Sequence, residues 1–145
     1  MIALLQRVTS ASVSVEYERV AEIGHGLLVL VGIEKNDDTA RAERLVQRIL
    51  GYRVFADDDD RMNLNVRDVD GAVLLVPQFT LAADTGKGMR PSFSRAADPE
   101  TGSALFTTVV DIMQRRYERV KHGVFGANMA VELVNDGPVT FWLRS

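Results

Sequence analysis

The sequence predicts an α/β fold, a single compact domain spanning residues 1–145, in which mixed β-sheet layers pack against two main helices. Three observations carry this reading. Several apolar segments alternate with the two-residue period of strands, two others repeat at helical spacing, and turns bearing glycine or proline separate them. A chain of 145 residues also matches one hydrophobic core, since cores close around roughly 100–150 residues before chains divide.

The first element is a strand from Ile2 to Val15, where Ser10, Ser12 and Ser14 alternate with Ala11, Val13 and Val15. Gly24 and Gly26 punctuate the chain. Leu27 to Ile33 is continuously apolar, the composition of a central strand covered on both faces. Asn36, Asp37 and Asp38 then offer capping side chains to a helix whose apolar positions, Ala42, Leu45, Val46, Ile49 and Leu50, recur until Gly51. Tyr52 to Phe55 returns to strand composition, Asp57 to Asp60 makes a polar loop, and Met62, Leu64 and Val66 alternate with asparagines. Asp70-Gly71 is a turn signal that predicts a hairpin between this segment and the buried strand Ala72 to Val76.

Pro77 has no amide proton to give a ladder, so the chain is expected to leave the sheet there. After Gln78 to Ala83 comes a loop, DTGKGMRPSFSR, with two glycines and a proline. The second helix has Asp98 as its cap and Pro99 at its first position, with Leu105, Phe106, Val109, Val110, Ile112 and Met113 on one face, and is expected to end near Tyr117 to His122. Two last strands, one alternating from Ala127 to Val134 and one from Val139 to Leu143, flank Asp136-Gly137-Pro138.

Composition removes several classes of function. The absence of cysteine excludes a disulfide framework, a thiolate nucleophile and a cysteine-bound zinc, and points to a reducing, cytoplasmic compartment. The opening MIALLQRV has no basic region before its short apolar run and reads as a strand rather than a secretion signal. Leu27 to Ile33 falls far short of the roughly 20 residues that cross a bilayer, so no membrane partner is expected. A net charge of −3 argues against coating a nucleic-acid backbone, though not against gripping one end.

Familiar hydrolase signatures are missing: no G-x-S-x-G elbow, no H-E-x-x-H and no phosphate-binding loop. The two histidines, His25 and His122, each sit beside glycine in expected loops, where imidazoles are more often solvated than catalytic. Asp57 to Asp60 fails the calcium-loop spacing, because Arg61 falls where a ligand belongs. Arg41, Arg44, Arg48, Arg115, Arg116 and Arg119 lie opposite the apolar helix faces, as solvated arginines usually do. No cofactor and no metal site is expected.

Two segments break the rules of regular structure. In Pro77-Gln78-Phe79-Thr80-Leu81, a buried strand meets a proline and then polar residues, so N–H groups near Phe79 either point at a ligand or belong to a bulge at a sheet corner. In Asn135-Asp136-Gly137-Pro138-Val139-Thr140, the Gly-Pro unit is either a plain turn or a rigid tip presenting carbonyl oxygens in a fixed direction.

These segments, with QFTLAAD, GMRPSFSRAA, FGANMAVELVNDGPVTFWL and MIALLQRV, resemble the D-aminoacyl-tRNA deacylases. The resemblance runs from Met1 to the last residues. It implies that family's fold and a homodimer in which the Gly137-Pro138 loop of one subunit enters the pocket of the other. In the family that bond is cis, and its carbonyls exclude an L side chain. Glycine, having no side chain, would pass, so glycyl-tRNA(Ala) is an expected second substrate. The resemblance assigns the catalytic positions to Gln78, Phe79 and Thr80, through backbone N–H groups of Phe79 and Thr80 on the scissile carbonyl and Gln78 shaping the pocket. It places Phe125 and Met129 around the terminal adenine of the aminoacylated tRNA 3′ end, with core packing the alternative for both, and has Arg7 brace the Gly-Pro loop.

Thr80 is the natural nucleophile, yet an unassisted hydroxyl is weak and no base is visible beside it. Attack by water, assisted by the terminal ribose 2′-hydroxyl, is expected instead. One departure stands out: the family usually has serine where this chain has Pro77. Two rival readings follow, a non-catalytic dimeric module that binds the tRNA end or a small molecule, and a hydrolase of other esters or amides.

Overall fold

The computed structural model describes residues 1–86 and 88–145. Lys87, part of the expected glycine-bearing loop, lies outside the described residues. The architecture is the α/β domain expected: a mixed sheet in the order β2-β1-β3-β6-β7, β8 on the remaining edge of β1, a small β4-β5 pair, and two helices.

The sheet is organised by its first strand. β1 (Ile2–Val15) pairs antiparallel with β3 (Gly26–Gly32) through its first half and with β2 (Glu18–Ile23) through its second, while β8 (Met129–Arg144) runs antiparallel along its other edge. β6 (Ala72–Pro77) lies parallel to β3, and β7 (Val120–His122) parallel to β6. Parallel pairing needs cover on both faces, and the unbroken apolar runs of β3 and β6 provide for it. On one face the buried positions of α1 (Thr39–Gly51) and α2 (Pro99–Arg116) pack with Leu5, Leu27, Val29, Val73 and Leu75. On the other, Val8, Val13, Leu28 and Leu74 form a second cluster. Truncating any such buried leucine to alanine costs about 2–5 kcal/mol.

Both helix starts follow the expected caps. Asp38 accepts from the Arg41 N–H and Asp98 from the Thr101 N–H, each at 2.9 Å. The Asp98 carboxyl is held below its ordinary pKa, first by that backbone hydrogen bond.

Four expectations need correction. The Asp70-Gly71 turn forms, with the Gly71 N–H on the Val66 carbonyl at 2.9 Å, but no hairpin does. β5 (Met62–Leu64) pairs with β4 (Phe55–Ala56), because both edges of β6 are taken by parallel neighbours, β3 and β7. Residues 120–122 do not finish the helix; they form β7. β2, whose Glu18, Arg19, Val20 and Glu22 are exposed, was missed because four of its six residues face solvent and blur the alternation.

The fourth correction concerns the last two strands, which are one. β8 runs through Gly137-Pro138 because β1 supplies a partner on both sides of it. Gln6 pairs with Thr140 and Val8 with Asn135, so between these pairs the single residue Arg7 of β1 opposes four of β8, Asp136 to Val139, and the surplus bulges outward.

Candidate active site

The Gln78 N–H closes the last sheet bond, on the Val31 carbonyl at 2.7 Å, and a short 3-10 helix, Phe79–Ala82, follows immediately. Its first internal donor is the Leu81 N–H, on the Gln78 carbonyl at 3.2 Å. The Phe79 and Thr80 N–H groups precede that bond, and the first donors of any helix lack an internal acceptor. The sheet-corner bulge is therefore not what forms here; the strand ends at Pro77 and hands over to a helical turn.

This turn borders a cavity of about 460 Å³. Pro77, Gln78 and Phe79 line one side, Phe125 to Met129 another, Val31 of β3 and Ile33 just beyond it a third, and Pro99 and Gly102 of α2 a fourth. The walls are mainly apolar, with Gln78 and Asn128 as the polar side chains among the described residues. Such a mixture suits a flat, partly apolar ligand whose few polar atoms must be oriented.

Four of the expected site residues, Gln78, Phe79, Phe125 and Met129, are thus brought together around one space. Phe125 and Met129 each face the cavity and the core at once. Phe125 lines the cavity and packs on the helix-side core, its ring 6.3 Å from that of Phe106. Met129 lines the cavity and packs on the opposite core, and its sulfur accepts the Val124 N–H at 3.4 Å. Thr80 is exposed, outside the lining, and its Oγ1 accepts a hydrogen bond from the Gln78 side-chain amide, which is no base. His25 packs edge-on against Phe55, and His122 Nδ1 lies 2.9 Å from the Gly123 carbonyl; neither lines the cavity.

The remaining three expected residues form a second group. Gly137 and Pro138 are exposed on the bulge, joined by a cis peptide bond, and lie outside their own chain's cavity lining. Arg7, whose side chain is 14% exposed, donates from Nε to the Asp136 carbonyl at 3.2 Å and from Nη1 to the Val54 carbonyl at 2.7 Å. Its Nε also stands 3.0 Å from Asp136 Oδ2. The arginine so ties the foot of the Gly-Pro tip to the segment before β4.

Sequence reasoning missed Gly102 and Pro99. Gly102 was legible as an isolated glycine inside a helical pattern, which usually has a packing reason. A Cβ there would stand 3.2 Å from Phe125 Cζ, so its absence leaves that ring its place.

Comparison with known proteins decides the family. Residues 4–144 match the model of the family described as D-Tyr-tRNA(Tyr) deacylase. The chain belongs to that family. A D-aminoacyl-tRNA deacylase of Escherichia coli O81 is 58% identical over 144 residues, covering 99% of both chains, and one of Methylococcus capsulatus is 59% identical over 144, covering 99% of this chain and 94% of its own. Among solved structures, a c-Myc DNA unwinding element binding protein superposes with a TM-score of 0.96 at 39% identity, over 100% of this chain and 99% of its own. A probable eukaryotic D-amino acid tRNA deacylase superposes at 0.86 with 16% identity, over 98% and 97%, which shows the shared fold. This D-Tyr-tRNA(Tyr) deacylase family member is a hydrolase acting on the ester bond of D-aminoacyl-tRNA.

Proposed function

We propose that the cavity receives the 3′-terminal adenosine and its D-aminoacyl group, that the Phe79 and Thr80 N–H groups stabilise the oxyanion formed as water attacks the ester, and that L-aminoacyl substrates are rejected sterically. The observation that carries this reading is the pair of amides ahead of the first 3-10 bond, set at the edge of an apolar cavity with Phe125 in its wall. Preorganised backbone donors of this kind are worth about 10²–10³ in turnover each. An aromatic wall contributes about 1–3 kcal/mol when a base stacks on it. Water, helped by the ribose 2′-hydroxyl, attacks the carbonyl carbon; the C–O bond to the ribose breaks, and free D-amino acid and tRNA leave.

Rejection of L-aminoacyl groups falls to Gly137 and Pro138, acting from a second subunit. Support comes from their exposure on a bulge that Arg7 holds from behind. Further support comes from β8, whose outer edge has no partner strand among the described residues yet carries Leu133, Val134 and Trp142, the last two more than half exposed. Long apolar edges of this kind call for cover, and a second copy covers both. A tip that excludes by collision admits glycine, which extends the substrates to glycyl-tRNA(Ala). Among the described residues no helix is long and apolar enough to cross a membrane, and an aminoacyl-tRNA substrate supports a cytoplasmic setting for the reaction.

Incubation with D-Tyr-tRNA, L-Tyr-tRNA and glycyl-tRNA(Ala) tests the reading through release of free amino acid. The D and glycyl esters are expected to be cleaved and the L ester spared. Binding without turnover would favour a binding module, and equal cleavage of tRNA-free esters would favour a general esterase.

A further inference from the structure

The Gly137-Pro138 tip is held by more than Arg7, and the second hold lies on the strand itself. Asn135 Oδ1 accepts the N–H of Val139 at 3.1 Å, and Asn135 Nδ2 donates to Thr140 Oγ1 at 3.0 Å. Gln6 Nε2 of the facing strand reaches the same Thr140 oxygen at 3.4 Å. One side chain therefore grips both residues that follow the tip, from the residue two places before it. Val139 is 7% exposed, so water cannot readily replace Asn135 as the acceptor for its N–H. Arg7 fixes the chain at Asp136 and Asn135 fixes it at Val139, and the exposed glycine and proline stand between these points.

We propose that Asn135 is a positioning residue for stereochemical discrimination: it closes the bulge across the tip and so sets how rigidly Gly137 and Pro138 meet an incoming amino acid. The inference rests on the proposed rejection of L substrates by that tip. A steric gauge discriminates only as far as it refuses to move, because a tip free to retreat relieves the clash that an L side chain would meet. The hold is local, bridging four positions of one strand. Its loss leaves β8 paired with β1 on either side, through Gln6–Thr140 and Val8–Asn135. Asn135 thus bears on the tip's freedom, not on the oxyanion donors across the site.

Turnover of D-Tyr-tRNA and L-Tyr-tRNA by the full-length wild type, Asn135→Ala and Asn135→Asp tests this, with thermal melting as the control for folding. Aspartate keeps the acceptor for the Val139 N–H, whereas alanine removes it. The ratio of D to L turnover is expected to fall by about tenfold or more in Asn135→Ala, the scale of one lost hydrogen bond to a group left unpaired, and to recover most of the way in Asn135→Asp. Should Asn135→Ala melt early, Thr140→Val tests the other half of the grip and is expected to lower the ratio less. An Asn135→Ala enzyme as selective as wild type, or one that slows on both substrates in proportion, would overturn the positioning role. A wild type that cleaves both enantiomers alike would instead remove the steric gauge itself.

Discussion

Gly137 has φ +121°, in the region that L side chains rarely adopt, and a Cβ built on it stands 2.8 Å from Val139 Cγ2 and 2.9 Å from Arg7 Nη2. Gly137→Ala therefore strains the backbone and pushes against the arginine that anchors the tip. We expect it to lower kcat/KM for D-Tyr-tRNA by about tenfold or more, on the scale of the 1–3 kcal/mol such strain costs, with a folded protein by circular dichroism. Arg7→Lys tests the same anchor from the other side. A lysine has no planar fork with which to satisfy the Asp136 and Val54 carbonyls together, so the ratio of D to L turnover should fall although the charge remains. Pro77 bears on a different question. The bonds that set the turn proposed to be catalytic run from the Gln78 N–H to Val31 and from the Leu81 N–H to Gln78, and neither uses residue 77. Pro77→Ser should accordingly change turnover by less than about tenfold, below the effect of removing one oxyanion donor.

At the scale of elements, the site depends on close approach between β3 and the turn that follows β6. A Cβ on Gly32 would lie 2.9 Å from Leu81 Cβ and 3.2 Å from the Gln78 carbonyl. Gly32→Ala must displace the 3-10 helix, and we expect a loss of about 1–3 kcal/mol in stability together with a fall in kcat, read by thermal melting and single-turnover deacylation. The sequence made much of this scheme legible, and the limits have physical causes. Helix caps, the termination at Pro77 and the apolar strands β3 and β6 depend on local chemistry, which a sequence displays directly. The partners of β5 and β6 depend on which distant edge lies free, which periodicity does not carry. The continuity of β8 was hidden for the same reason: Gly137-Pro138 reads locally as a turn, and only the fourteen residues of β1 alongside make it a bulge. The candidate site residues come from the family motifs and not from side-chain chemistry, because the proposed donors are backbone amides that any residue type could supply.

Across the whole molecule, Glu34 ties the chain's two ends to the region beyond β3. Its carboxylate pairs with the Met1 ammonium at 3.1 Å and with Arg144. Burial pushes its pKa up, but the hydrogen bonds and charges of Arg144 and the amino terminus together outweigh this and hold it below 4.5. A carboxyl with a depressed folded pKa contributes its stability fully above the unfolded value and loses it as pH falls through the folded one. Melting temperature should therefore drop in the acid range below about pH 4.5, and Glu34→Gln should flatten part of that drop while lowering stability near pH 7. The same molecule-wide view governs activity, since the cavity and the Gly-Pro tip lie apart within one chain. Two impaired variants, Gly137→Ala with a damaged tip and Gly102→Leu with a filled cavity, measure this when unfolded together and refolded as a mixture. On the proposed shared site, each mixed dimer would hold one intact cavity facing one intact tip, so D-Tyr-tRNA deacylation should recover to about a quarter of wild type, from random pairing of subunits. A mixture of verified heterodimers no more active than the better of its two parents would contradict the sharing of the site.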